Sequence, residues 1–231
     1  MAHHIFLAGG TGLIGKMVSG RLSACGDVHL AAPSRSSADG IDYERLRGDP
    51  ADEMRRFSPE ALEVAISCLG TTIRQARSQA AMYRVDHDYV LAVAQGARAL
   101  GATRFILMTA AGAGGPGFYL RTKGEVEGAV GALGFERVDL IRPGFLLGER
   151  AEHRPAEAVG QRIFAALTPL LRGPLSRWGA IPADTVADAI TALAFSNIPG
   201  RFIHENRDLH DIAATWMRVR PNDRIRELSS S

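Results

Sequence analysis

Tyr119 and Lys123 stand four residues apart in Phe118-Tyr119-Leu120-Arg121-Thr122-Lys123-Gly124-Glu125, which on a helix puts both side chains on one face. A lysine ammonium beside a tyrosine, with a nicotinamide ribose close by, would bring the phenol from about 10 towards working pH. Tyr119 would then give or take the proton that accompanies hydride transfer at a carbonyl or alcohol. YxxxK recurs by chance in many helices, so its weight depends on its setting. The chain also opens with Gly9-Gly10-Thr11-Gly12-Leu13-Ile14-Gly15, directly after the apolar run Ile5-Phe6-Leu7-Ala8. With glycines three apart, Gly9 would make the tight turn and Gly12 would let a pyrophosphate approach the backbone. Gly15 would let helix and strand pack closely, and the helix amides would hold the phosphates. Gly10 to Lys16 also spells GxxxxGK, the phosphate-loop pattern. Met17 stands where that loop needs a Mg²⁺-holding hydroxyl, which excludes it.

The end of the second apolar run decides the cofactor. NAD sites keep an acid about 20 residues after the glycines to bond the ribose 2′-OH. Here the chain reads Ala31-Ala32-Pro33-Ser34-Arg35, with no acid before Asp39. A hydroxyl plus Arg35 suits a 2′-phosphate, so NADP is expected, with NAD as the alternative should Arg35 be only a solvated loop charge.

These groups need a scaffold that brings distant loops to one edge. Strand-like runs at 5–8, 28–31, 64–68, 104–108 and 137–141 alternate with helical stretches at 15–25, 85–100 and 123–133. Such alternation predicts right-handed βαβ units and a doubly wound α/β fold with a parallel sheet, Rossmann-like. Beyond Gly148 the pattern loosens, with helical stretches at 155–171, 185–195 and 208–217 and a short strand at 201–203. Residues 1–231 read as one domain. Its core is about 1–150, a small C-terminal subregion at about 151–217 forms a substrate cleft, and the polar tail is 218–231.

Composition bounds the class. With 46% hydrophobic and 23% charged residues the chain suits a folded soluble domain, and its net charge of +2 argues against a nucleic-acid partner. No apolar run reaches the ~18 residues of a membrane span. Cys25 and Cys68 form no CxxC pair, which suits a reducing compartment and a cytoplasmic location. The histidines lack ligand spacing, so no metal is expected; the expected partner is a small-molecule substrate, and a homodimer is compatible. Asp86 and Asp88 read as acids at a helix start, complementing its dipole. Trp178 and Trp216 read as packing residues and Cys68 as core. Pro143-Gly144, after a strand, reads either as backbone near a nicotinamide ring or as a simple turn.

The glycine turn resembles that of the short-chain dehydrogenase/reductase superfamily. More narrowly, the chain is similar to the atypical Tat-interacting oxidoreductase-like family. The likeness includes Cys68-Leu69-Gly70-Thr71-Thr72, Val85-Asp86-His87-Asp88-Tyr89-Val90-Leu91, Lys123-Gly124-Glu125-Val126-Glu127, Arg142-Pro143-Gly144-Phe145-Leu146-Leu147, His153-Arg154-Pro155 and His204-Glu205-Asn206. It implies NADP(H) contacts from Thr11, Gly12, Leu13, Ile14, Leu69, Gly70, Tyr119, Lys123, Leu146 and Arg154, with Thr71 in the same loop. Tyr119 and Lys123 would be the catalytic pair. Two positions depart from the pattern. Relatives often carry an arginine pair where this chain has Pro33 and Ser34, and the superfamily's catalytic serine position holds Ala110. Thr109, its neighbour, faces the other way on a regular strand and would substitute only from a twisted or bulged end. The leading expectation is an NADP(H)-dependent oxidoreductase acting on a small carbonyl or alcohol. The competing one is an NADP(H)-binding regulator with little chemistry; sugar-nucleotide epimerase or dehydratase chemistry would ask for a larger substrate domain.

Overall fold

A parallel strand covered on both faces has to be apolar at every position. Ile5 and Leu7 of β1 (His3–Ala8) point to one side of the sheet and Phe6 and Ala8 to the other, all fully buried. The computed structural model describes residues 3–35, 39–58, 60–148 and 178–219. After β1 come the glycine turn, α1 (Leu13–Ser23), β2 (Val28–Ala31), α2 (Tyr43–Gly48) and α3 (Pro50–Arg55). Next are β3 (Val64–Ser67), α4 (Ile73–Ala76), α5 (Gln79–Tyr83), a π-helical turn at Arg84–Tyr89, and α6 (Val90–Ala99). β4 (Arg104–Met108) leads to α7 (Phe118–Gly131), then β5 (Arg137–Ile141) and β6 (Phe145–Leu147). The last described elements are β7 (Ala180–Pro182), α8 (Ala183–Leu193), β8 (Gly200–His204) and α9 (Asn206–Val219).

Six parallel strands form one sheet in the order β2-β1-β3-β4-β5-β8. One face packs against α1, α8 and α9 and the other against α2, α3, α6 and α7, the doubly wound arrangement expected from the sequence. β6 and β7 pair in parallel outside that sheet. From β1 the chain moves out to β2 and returns to the other side at β3. The strand order therefore reverses between β1 and β3, where a crevice opens beyond the strand ends.

Three local differences from the sequence reading matter. α7 starts at Phe118, five residues before the expected helix, because Gly117 at φ +88° turns the loop sharply into it. Tyr119 thereby joins Lys123 on the same helix. Residues 43–55 form two short helices whose free amides are capped by the Asp42 and Asp49 side chains. Asp86 and Asp88 do not begin a helix: they lie in the π-helical turn between α5 and α6, and Asp86 is fully buried. The helix expected at 155–171, the residue Arg154 and the end of the chain from 220 lie outside the described residues.

Candidate cofactor and active site

The glycine turn is locked to the neighbouring strand. A β-carbon at Gly9, whose φ is +80°, would lie 2.7 Å from the Cys68 carbonyl carbon, and one at Gly15 would lie 2.1 Å from the Gly9 carbonyl oxygen. Only glycine fits at either position. Gly12 differs: a β-carbon there would meet nothing closer than that same oxygen, at 3.5 Å, and Thr11 and Gly12 are exposed. Gly12 caps α1 without a side-chain bond, and no acid stands in the first turn. The Ile14 side chain is in the core, so only its amide is available to a ligand; Leu13 packs partly against the same core. A β-carbon at Gly148 would come within 3.2 Å of the Leu13 side chain, so the end of β6 closes onto the start of α1, with Leu146 partly buried beside it.

Arg35 lines a cleft of about 380 Å³ with Asp42, Tyr43, Glu44 and Tyr89 at the far end of the turn. The acids there are already committed. Asp42 caps α2, and Glu44 accepts from the Tyr89 hydroxyl at 2.8 Å and pairs with Arg84 and Arg47. Burial pushes the Tyr43 phenol up to about 12, although Arg35 and the Gly9 amide both pull it down. Burial likewise pushes the Cys68 thiol up to about 12, which leaves it an inert core group at the edge of the turn.

At the end of β3 the loop Leu69-Gly70-Thr71 runs over a buried ion pair. Lys123 Nζ lies 2.6 Å from Asp86 Oδ1, and the Thr71 amide donates to Asp86 Oδ2 at 2.8 Å. A β-carbon at Gly70 would be 3.6 Å from both charged atoms, so exposed Gly70 covers the pair directly. Lys123 Nζ also sits 5.8 Å from the centre of the partly exposed Tyr119 ring. The structure thus brings Tyr119, Lys123, Gly70 and Thr71 together at the mouth of the crevice. It adds Asp86, which sequence reasoning had left to the helix dipole.

Thr109 stands elsewhere. Its hydroxyl donates to the buried Glu127 Oε1 at 2.7 Å, and Glu127 in turn accepts from Arg142, whose guanidinium this contact holds above its ordinary value. These bonds engage the hydroxyl inside the fold, which favours a structural role over the expected one beside a substrate oxygen. Glu127 lies four residues past Lys123 on α7, the spacing that could have marked it. Pro143 O accepts from the Ala111 amide and the Gly144 amide donates to Asn206 Oδ1. Asn206 also donates to Gly179 O, tying β5, β7 and α9 together. The Gly144 amide is therefore already used, which favours the turn reading of this segment. Trp178 packs on the glycine loop that leads into α7: a β-carbon at Gly112 would fall 2.2 Å from its indole.

No protein-family model matches the chain. Protein fmp52, mitochondrial, from Emericella nidulans is 39% identical over 141 residues, 60% of each chain. The match thus spans under two thirds of that relative's length. Protein HTATIP2 from Rattus norvegicus is 33% identical over 172 residues, 71% of each chain. Among solved structures, RMD from Pseudomonas aeruginosa, complexed with NADPH, superposes with a TM-score of 0.61 at 16% identity, covering 91% of this chain and 80% of its own. Human epimerase family protein SDR39U1, also with NADPH, gives 0.60 at 16% identity over 87% and 74%. At such identity these two bear on the fold. The expected cytoplasmic location is overturned by the fungal relatives, several of which carry the name mitochondrial. Cysteine usage of this kind does not say which compartment holds the protein. With a third of the aligned residues shared with HTATIP2 over most of both chains, on a Rossmann-type sheet with the glycine turn and YxxxK helix in place, the chain belongs to the family of HTATIP2 and the fmp52 proteins.

Proposed function

We propose that this chain is an NADP(H)-dependent oxidoreductase acting on a small carbonyl or alcohol, with Tyr119 as general acid and base and Lys123 holding the nicotinamide ribose. The observation that carries the reading is the convergence of Lys123, Tyr119 and Gly70 on the crevice between β1 and β3, where the glycine turn also opens.

A dinucleotide fits these residues. Among the described residues no atom comes within 3.5 Å of a β-carbon placed at Gly12, and α1 begins without a side-chain cap, so its first amides keep their capacity for phosphate. Arg35 supplies a guanidinium where Asp42 and Glu44 are already engaged, which suits a 2′-phosphate and hence NADP over NAD. When bound, the nicotinamide gives or accepts the hydride; the proton is left to the chain. Tyr119 donates its O–H to the substrate oxygen during reduction and takes it back during oxidation. The Lys123 ammonium stabilises the negative charge that develops on the Tyr119 oxygen and has N–H groups to offer the ribose hydroxyls. With Thr109 bonded to Glu127 and Ala110 lacking a hydroxyl, Tyr119 is the one side chain assigned to the substrate oxygen.

Ala110 favours the second reading, a regulator that binds NADP(H) with little chemistry, because one orienting partner is missing. One experiment decides. Purified protein is mixed with NADPH and a panel of small carbonyls, and NADPH oxidation is followed. The oxidoreductase reading expects turnover that falls about 100-fold or more in Tyr119→Phe, with NADPH affinity changed little. Turnover that survives that substitution refutes the mechanism. Micromolar NADPH binding without turnover decides for the regulator, and activity gained by Ala110→Ser would then locate the missing hydroxyl.

A further inference from the structure

We propose that Asp86 is a positioning residue of this site, a buried carboxylate that holds the Lys123 ammonium in place beneath Gly70. The inference rests on the reading of Lys123 as the ribose-holding group.

Lys16 and Lys123 are the only lysines among the 27 basic residues of the chain; every other one is arginine. Lys16 is exposed on α1, and Lys123 is 4% exposed. A chain that uses arginine almost everywhere has placed a compact ammonium at this one interior point. An ammonium carries three donors on a flexible stem and, unlike guanidinium, gives up its proton readily when buried without a partner. Asp86 answers both properties. It is 0% exposed, lies 2.6 Å from Nζ and is itself fixed by the Thr71 amide. Among the described residues no other hydrogen bond reaches its Oδ1.

Helix formation does not require an acid here. Asp86 stands inside a helical run, in the π-helical turn, away from any N-terminus where its charge would serve the backbone. Its carboxylate is out of water for the sake of one neighbour, and that neighbour lies beneath the exposed backbone of Gly70. The pair leaves two Lys123 donors unassigned among the described residues, the number needed to hold two vicinal ribose hydroxyls.

The test uses Asp86→Asn, which retains the shape and the acceptor for Thr71 but removes the charge. Acetic anhydride labelling of the cofactor-free protein is read by mass spectrometry, with Lys16 in the same molecule as the internal reference. Lys123 labelling relative to Lys16 should rise at least about tenfold, because an unpaired buried ammonium loses its proton more readily. The NADPH Kd, measured by calorimetry, should rise by about the same factor. Labelling within twofold of the wild type, or NADPH binding that is equal or tighter, overturns the inference. If Asp86→Asn does not fold, the double variant D86N/K123Q, free of both charges, should recover a melting temperature near the wild type; no recovery also overturns it. Wild-type protein that binds no NADPH overturns the cofactor reading itself, an outcome distinct from unchanged labelling in a protein that does bind.

Discussion

Alanine at Gly12 separates the needs of the fold from those of the ligand. Its backbone, at φ −73° and ψ 171°, is open to any residue, and the nearest atom to an added β-carbon is the Gly9 oxygen at 3.5 Å, an ordinary contact. Alanine is a poorer N-cap than glycine by roughly 0.5–1 kcal/mol. For a chain of this size about 1 kcal/mol moves Tm by roughly 2–4 °C, so Gly12→Ala should melt within about 4 °C of the wild type. Gly15→Ala is the control. Its β-carbon would lie 2.1 Å from a backbone oxygen that no rotamer change can move away, an overpacking of about 1–3 kcal/mol or more. It should lose several degrees. A pyrophosphate seated on the Gly12 backbone responds in the opposite order. A methyl that pushes it off one charge-assisted hydrogen bond costs about 1.5–3 kcal/mol, roughly a 10- to 100-fold loss of NADPH affinity. Calorimetric titration and thermal unfolding on the same preparations measure both effects. NADPH affinity within twofold in a fully folded Gly12→Ala would refute the placement of the pyrophosphate, and a drop in Tm of 5 °C or more would refute the claim that the slot is empty of protein.

Other outcomes follow from the same geometry. Thr109→Val should lose about 1 kcal/mol in urea unfolding while NADPH affinity stays within twofold; a tenfold loss of affinity would return that hydroxyl to the ligand. Asp139→Ala strands two buried groups, Arg137, bonded to it at 2.6 and 2.8 Å, and His204 at 2.7 Å, and should lose about 3–5 kcal/mol; less than 1 kcal/mol would show the cluster to be slack. In alkali the fold should weaken from about pH 9–10 upwards. The unfolded chain ionises Cys68 and Tyr43 at their ordinary 9.0 and 10.0, whereas the folded chain holds both neutral to about 12. The stability they lend is therefore complete below that window and lost across it, and Tyr43→Phe should flatten the decline between pH 10 and 12.

The sheet was legible because its residues obey one rule. Strands buried on both faces read as apolar runs, and Ile5–Ala8, Val64–Ser67, Phe105–Leu107 and Val138–Ile141 carry that signal except where Ser67 and Asp139 interrupt it. Gly9 and Gly15 were legible for a similar reason, since a backbone approach admits one residue type. The start of α7 was not, because glycines at 112, 114, 115 and 117 look like an unbroken loop, and only the φ of Gly117 shows where the turn ends. Asp86 and Glu127 were hidden by their surroundings in sequence. An acid in a helix is solvated far more often than buried, and each finds its partner across the fold: Lys123 is 37 residues from Asp86, and Thr109 is 18 from Glu127.

The buried charges of this protein fall into two kinds, and the difference locates its chemistry. Arg104 spreads its donors over Ala194 O, Ser196 O, Asn197 Oδ1 and Glu63, and Arg137 over both Asp139 oxygens and Ile198 O. Both stand at the strand starts, the edge away from the glycine turn, and their bonds tie the ends of neighbouring elements together. Geometry that uses this many donors leaves little for a ligand and makes the arginines structural. At the opposite edge Lys123 has, among the described residues, a single carboxylate, Asp86, and lies beneath the glycine at position 70. A fold seeking only stability would do as well with apolar residues at both positions, because a buried pair seldom outweighs its desolvation. The pair therefore calls for a reason outside the folded chain. On the proposed reading a dinucleotide in the crevice between β1 and β3 would supply one, since it would meet an ammonium that Asp86 holds in place.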